Sequence, residues 1–88
     1  MRSLVISKST QRKIKVFIKR HPTLRPKLEQ IITNLLYDPF LAGLETHRLS
    51  GRLKHLYSAS INYEYRVVFF FDDKFLYLGN IGSHEEVY

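Results

Sequence analysis

Between Glu45 and Glu64 the chain carries His47, Arg48, Arg52, Lys54 and His55, with no carboxylate among them. Tyr57 and Tyr63 add phenols to the same stretch. Arg66 follows inside an apolar run, and His84 and Tyr88 stand in the tail. Brought together, these side chains would make a basic site that holds a phosphate and moves protons. Imidazole titrates near neutrality and can give or take a proton. A guanidinium offers paired donors to phosphate, and a lysine adds a point charge. The four histidines lack metal-like spacing, and the absence of cysteine removes any thiolate ligand or thiol nucleophile. No phosphate-binding loop, dinucleotide fingerprint or Ser-His-Asp order is present. Neither metal nor cofactor is expected.

These residues need elements to position them. Tyr65-Arg66-Val67-Val68-Phe69-Phe70-Phe71 is β-branched or aromatic apart from its arginine, which predicts a strand. So much apolar character predicts a central strand covered on both faces. Arg66 must then reach solvent, a carboxylate or a phosphate, because it stays ionised. The plain alternative is a snorkelling arginine at a strand end, paired with a neighbour.

Upstream, Leu4-Val5-Ile6 reads as a short strand, and Ser7, Ser9 and Thr10 offer helix caps. Residues 10–20 predict a helix with Ile14, Phe17 and Ile18 on one stripe. His21-Pro22 ends it. Thr23 is the expected cap of a second helix that tolerates Pro26 in its first turn. There Leu28, Ile31, Ile32, Leu35 and Leu36 repeat with helical spacing. The short break at Pro22 predicts a helix hairpin. His47-Arg48-Leu49, Leu56 to Asn62 and Phe75 to Ile81 read as further strands. Turns are expected at Ser50-Gly51, Asn62-Tyr63-Glu64 and Asp72-Asp73-Lys74, and residues 82–88 read as a tail. The order β-α-α-β-β-β-β predicts an α+β fold, with two N-terminal helices packed on a twisted antiparallel sheet. The 88 residues make one domain, 1–88, with one modest core.

Charge divides the chain. Residues 1–28 hold nine of its 14 Lys and Arg and none of its eight Asp and Glu. Lys13, Lys15 and Lys19 give the first helix a basic face, the kind that meets nucleic acid or an acidic protein. No apolar run is long enough to span a membrane or serve as a signal peptide, and a cysteine-free chain suits a reducing cytoplasm.

Taken in order, the helix pair, Leu49-Ser50-Gly51, Tyr65-Arg66-Val67-Val68-Phe69 and Ile81-Gly82-Ser83-His84-Glu85-Glu86-Val87-Tyr88 resemble the RelE/ParE superfamily of bacterial toxins. The Gly-Ser-His tail with its terminal aromatic is most similar to the YafQ-like branch, close to RelE-like mRNA interferases. The resemblance implies a RelE-like, microbial-ribonuclease-type fold and the toxin of a type II toxin–antitoxin pair. It implies a metal-independent endoribonuclease acting on mRNA at the ribosome, through attack of a 2′-hydroxyl on its neighbouring phosphate. It also implies a small acidic antitoxin encoded beside the toxin, and operator DNA met only through their complex.

Carried over position by position, the resemblance makes His84 and His47 acid–base residues and Arg66 the phosphate fork. Lys54 becomes a backbone contact, and Tyr88 the terminal aromatic that orients substrate. Arg48, Arg52 and His55 join Lys13, Lys15 and Lys19 as expected nucleic-acid contacts. Glu64-Tyr65 resembles the acidic–aromatic pair of that branch. Two positions depart from the branch pattern: Ser60 stands where a histidine is expected, and Asn80 where an arginine is expected. Two other readings stay open, a ParE-like gyrase inhibitor and an inactive member that only binds its antitoxin.

Overall fold

The computed structural model describes residues 1–88. Strand β1 (Ser3–Ile6) leads into helix α1 (Lys8–Arg20), and one 3-10 turn at Pro22–Leu24 leads into helix α2 (Arg25–Tyr37). Strands β2 (His47–Arg48), β3 (Tyr57–Ser60), β4 (Tyr65–Phe71) and β5 (Phe75–Ser83) come next, and a four-residue helix α3 (His84–Val87) ends the chain. The sheet order is β1-β5-β4-β3-β2, which puts β4 at the centre.

Local sequence explains most boundaries. Ser7 caps α1, accepting from the Thr10 amide at 3.2 Å, so the helix starts two residues earlier than the expected Thr10. Pro26 sits in the first turn of α2, where its missing N–H costs nothing. Thr23 is not the cap of α2, contrary to expectation. It lies in the 3-10 turn, and Leu24 stands at the cap without a side-chain bond.

The sheet is mixed rather than antiparallel. β2 to β5 form the expected antiparallel meander, but β1 runs parallel to β5. The order of elements accounts for this. Each short connection reverses the chain, and an even number of reversals separates β1 from β5. The first strand therefore returns to the sheet edge pointing the same way as the last.

Alternation along β4 divides the molecule into two sides. Val67 and Phe69 join Phe17, Leu28, Ile31 and Leu35 in the main core, with Tyr65 and Phe71 packed against it. Arg66, Val68 and Phe70 face the other way. That second face is not fully covered, contrary to expectation. Leu49 and Val87 bury Val68, but Phe70 stays 40% exposed and stacks on Tyr77 at 4.4 Å. In β5, Gly79 is an extra residue between Leu78 and Asn80, which pair with Phe69 and Val68. Its carbonyl accepts from the buried Thr10 hydroxyl at 3.3 Å, tying α1 to this bulge.

Leu35 is fully buried at the junction of α2 and the sheet. Leu35→Ala should lower unfolding free energy by about 2–5 kcal/mol in denaturant titration. A loss within the surface range of about 0.5 kcal/mol would show that α2 does not carry the core.

Candidate active site

The partly open face of the sheet gathers residues from four elements. Antiparallel pairing sets His47 of β2 opposite Ser58 of β3, and Ser58 opposite Val68 of β4. Arg66, two residues before Val68, shares that face. Its Nε donates to the Ser58 hydroxyl at 2.5 Å. Its Nη2 donates to the Glu45 carbonyl at 3.1 Å and reaches His47 Nδ1 at 3.3 Å. The Tyr88 hydroxyl donates to the same Ser58 oxygen at 2.5 Å and lies 3.4 Å from His47 Nε2. With the His47 proton on Nε2, the groups close a ring. Arg66 donates to His47, His47 to Tyr88, and Tyr88 and Arg66 both to Ser58. Every bond then matches one donor to one acceptor.

Helix α3 delivers the other two side chains. Ser83 and Glu86 form a capping box: the Ser83 hydroxyl accepts from the Glu86 amide at 3.4 Å, and the Glu86 carboxylate accepts from the Ser83 amide at 2.9 Å. Val87 is buried against Leu49 and Val68, which anchors the helix. His84 and Tyr88 lie one turn apart and share a side of the helix, so their rings meet edge to face at 4.2 Å. The His84 ring is exposed and makes no hydrogen bond, so both of its nitrogens are open to a ligand. Gly82 permits this fold-back, because a Cβ there would stand 3.0 Å from Glu86 Cβ.

The site is cationic and uncompensated. The chain's one salt bridge is the exposed Arg25–Glu29 pair on α2. No carboxylate neutralises Arg66, and its Nη1 has no partner. A cavity of about 310 Å³ opens beside His47, lined by Arg48, Leu49, Ser50, Leu53 and Tyr88. Its cationic and aromatic walls suit a phosphate with an attached base or sugar. No group of His, Asp and Glu comes together that could hold a metal ion.

His84, His47, Arg66 and Tyr88, which span 42 positions of sequence, thus meet on one face. Lys54 stays outside that contact set. Its carbonyl accepts from Arg48 Nε at 2.6 Å, while its ammonium is exposed on the adjacent turn. Arg52 and His55 are exposed on the same turn. Lys13, Lys15 and Lys19 stand on α1, across the sheet from the cluster. Tyr65 also turns away, packing against Phe17 at 5.2 Å and His21 at 4.6 Å. Neither departing position enters the cluster: the Ser60 hydroxyl donates to the Asn62 carbonyl, and Asn80 accepts from Lys13. Sequence reasoning missed Ser58, the buried hub. Its only sequence signal is a small polar residue within a strand, two places from Ser60.

No protein-family model matches the chain, and no curated protein matches it in sequence. Solved structures do match. YafQ from E. coli BL21(DE3) superposes with a TM-score of 0.85 at 22% identity, covering 100% of this chain and 99% of that one. YafQ from the E. coli DinJ–YafQ toxin–antitoxin complex gives 0.82 at 24% identity, covering 99% and 97%. The YoeB/ParE toxin from Agrobacterium tumefaciens gives 0.79 at 20% identity, covering 96% and 99%. The chain therefore has the RelE/ParE toxin fold, and YafQ is among the structures it resembles over its full length.

Two predictions concern the framework. Ser58→Ala removes the acceptor shared by Arg66 and Tyr88. The Arg66 Nε–H resonance should exchange slowly with solvent in the parent chain and rapidly in the variant. Slow exchange in both would mean that other contacts hold the guanidinium. The second concerns pH. The Ser83 amide and hydroxyl hold the Glu86 carboxyl below its ordinary value of 4.5. A lowered folded-state value stabilises the cap above the ordinary range, and that support is lost as pH falls through the folded value. Protection of the α3 amides, taken relative to their intrinsic exchange rates, should therefore fall on acidification below the ordinary carboxylate range. Glu86→Gln should flatten that dependence; an unchanged profile would remove Glu86 from the cap.

Proposed function

We propose that this chain, built on the RelE/ParE toxin fold, is the toxin of a type II toxin–antitoxin pair and cleaves mRNA without a metal, at the ribosome. One observation carries the reading: His47, Arg66, Tyr88 and His84 converge on a cationic, accessible face with no carboxylate to quench it. A general acid–base pair flanking a guanidinium is what in-line attack by a ribose 2′-hydroxyl requires. The attacking oxygen loses a proton, a bond forms to phosphorus, and the bond to the 5′-oxygen of the next nucleotide breaks. That leaving oxygen takes up a proton, and a cyclic phosphate remains.

The free Nη1 of Arg66 holds the phosphate and meets the charge that grows on it during attack. His84, unbonded and exposed, performs one proton transfer. His47, fixed between Arg66 and Tyr88, faces the same phosphate. Tyr88 stacks on or orients the substrate. Lys54, Arg48, Arg52 and His55 contact the RNA backbone from the neighbouring strand and turn, and the basic face of α1 meets ribosomal RNA. Such contacts weaken steeply with salt. The partner is a small acidic antitoxin encoded beside the toxin, as DinJ accompanies YafQ in the solved complex. Operator DNA is met only through that complex, and the setting is the cytoplasm.

His84→Ala and Arg66→Ala should each lower mRNA cleavage by ~10²–10⁴-fold, read by primer extension on translating ribosomes, while both variants keep the parent circular-dichroism spectrum. Undiminished cleavage in both would refute the assignment. Growth arrest by the parent chain with intact mRNA and inhibited gyrase would replace it with a ParE-like function.

A further inference from the structure

A second and larger cavity, about 380 Å³, lies on the opposite side of the sheet, between α1, the ends of β4 and β5, and α3. None of the four clustered catalytic side chains lines it. Its wall on α1 is two adjacent rows of residues at helical spacing: Arg12, Val16 and Arg20 in one, Lys13, Phe17 and His21 in the other. In the first row an apolar residue stands between two cations. Val16 is 48% exposed although it lies at the centre of this wall. Below it, the rings of Phe17, His21 and Tyr65 meet at 4.6 to 5.2 Å and form an aromatic floor. Glu86 closes the far side.

We infer that this cavity is the anchor site for an acidic amphipathic helix of a protein partner, which places one bulky apolar side chain over Val16 and Phe17 and a carboxylate against each of Arg12 and Arg20. The inference rests on the reading that the chain pairs with an acidic protein, and it adds where that protein takes hold. The spacing sets the partner's pattern. Arg12 and Arg20 are two turns apart, about 12 Å along the axis, so a helix lying beside α1 meets them with Glu-x3-Leu-x3-Glu. Charge agrees, because residues 1–28 contain no carboxylate at all. One feature favours a protein over a nucleic acid: the wall between the cations is aliphatic, at the half-exposed Val16.

The position has a regulatory consequence. Glu86 borders this cavity and also caps the helix that carries His84 and Tyr88. A partner seated here touches α3 from behind and leaves the catalytic face open. Binding at this site therefore acts on His84 and Tyr88 through their helix, not by covering them.

The test uses a fluorescein-labelled, alanine-rich helical peptide carrying Glu-x3-Leu-x3-Glu, titrated with the full chain and followed by anisotropy. Saturable one-site binding is expected. Val16→Asp, and the double variant Arg12→Glu with Arg20→Glu, should each weaken it by ~10-fold or more, the range of a central anchor. Leu→Ser in the peptide should weaken it likewise, whereas Lys74→Glu, which changes charge far from the cavity, should leave it unchanged. Equal binding of the Leu and Ser peptides would mean mere charge attraction and overturn the inference. So would an absence of saturable binding. A decamer of single-stranded RNA that binds more tightly than the peptide, with the same variants losing it, would assign the cavity to nucleic acid instead. Cleavage of mRNA by Val16→Asp is read separately. Its presence in all chains alongside failed peptide binding defeats only the anchor site. Its absence in the parent chain alongside intact peptide binding defeats only the nuclease.

Discussion

A strand cannot bury both of its faces in one core, and β4 bears the consequence. Once Val67 and Phe69 are committed to the helices, alternation sends Arg66 and Val68 to the other side. Val68 is small and apolar enough to be covered by Leu49 and Val87. Arg66 is not, because a guanidinium needs donors satisfied and a route to solvent. The chain supplies both with the Ser58 hydroxyl, the Glu45 carbonyl and an open edge. The most apolar strand of the protein thereby carries a cation with no carboxylate partner. A single-residue slip of β4 would exchange the two sets and destroy core and site together.

Helix α3 extends the same logic. It is far too short to persist alone, since isolated helices of one turn are not stable in water. Two things hold it: the Ser83–Glu86 capping box and the burial of Val87. Neither lies in the cluster of His47, Arg66, Tyr88 and His84, yet both decide where His84 and Tyr88 stand. Gly82 belongs to the same device, because Glu86 folds into the space a side chain would occupy.

Much of this was legible in the sequence where patterns are local and redundant. The stripe from Leu28 to Leu36 and the run from Tyr65 to Phe71 each repeat their signal several times, and both elements formed as expected. Single-residue signals fared worse. Thr23 carries the right chemistry for a cap, but Pro22 and Pro26 pull the chain into a 3-10 turn first. The parallel pairing of β1 depends on a strand more than 60 residues away, and no local window holds it. The same is true of Ser58. Its role comes from where Arg66 and Tyr88 point, and a serine in a strand announces nothing by type. The α1 cavity was hidden differently. The basic residues were plain, but their alternation with Val16 reads as incidental until β5 and α3 close the other wall.

The two histidines at the open face are held in contrasting ways, and the contrast bears on how a site of this kind divides its work. His47 is bonded at both ring nitrogens, to a cation on one side and a phenol on the other. A proton placed on its Nδ1 would displace the bond that Arg66 donates there. His84 is bonded at neither nitrogen and rests only on the edge of Tyr88. It can turn and exchange its proton with no other bond broken. In the proposed reaction the second arrangement suits the group that carries the proton away or delivers it. The first suits its partner in the acid–base pair, a group that also keeps the guanidinium and the phenol aimed at one phosphate. Preorganisation of this kind is set up during folding, so no reorientation is needed at the moment of attack. A lone arginine on an open sheet would have to be ordered by the substrate itself, at the substrate's cost in binding. Here Ser58 has already fixed Arg66 and Tyr88, and the capping box has fixed the helix that brings His84.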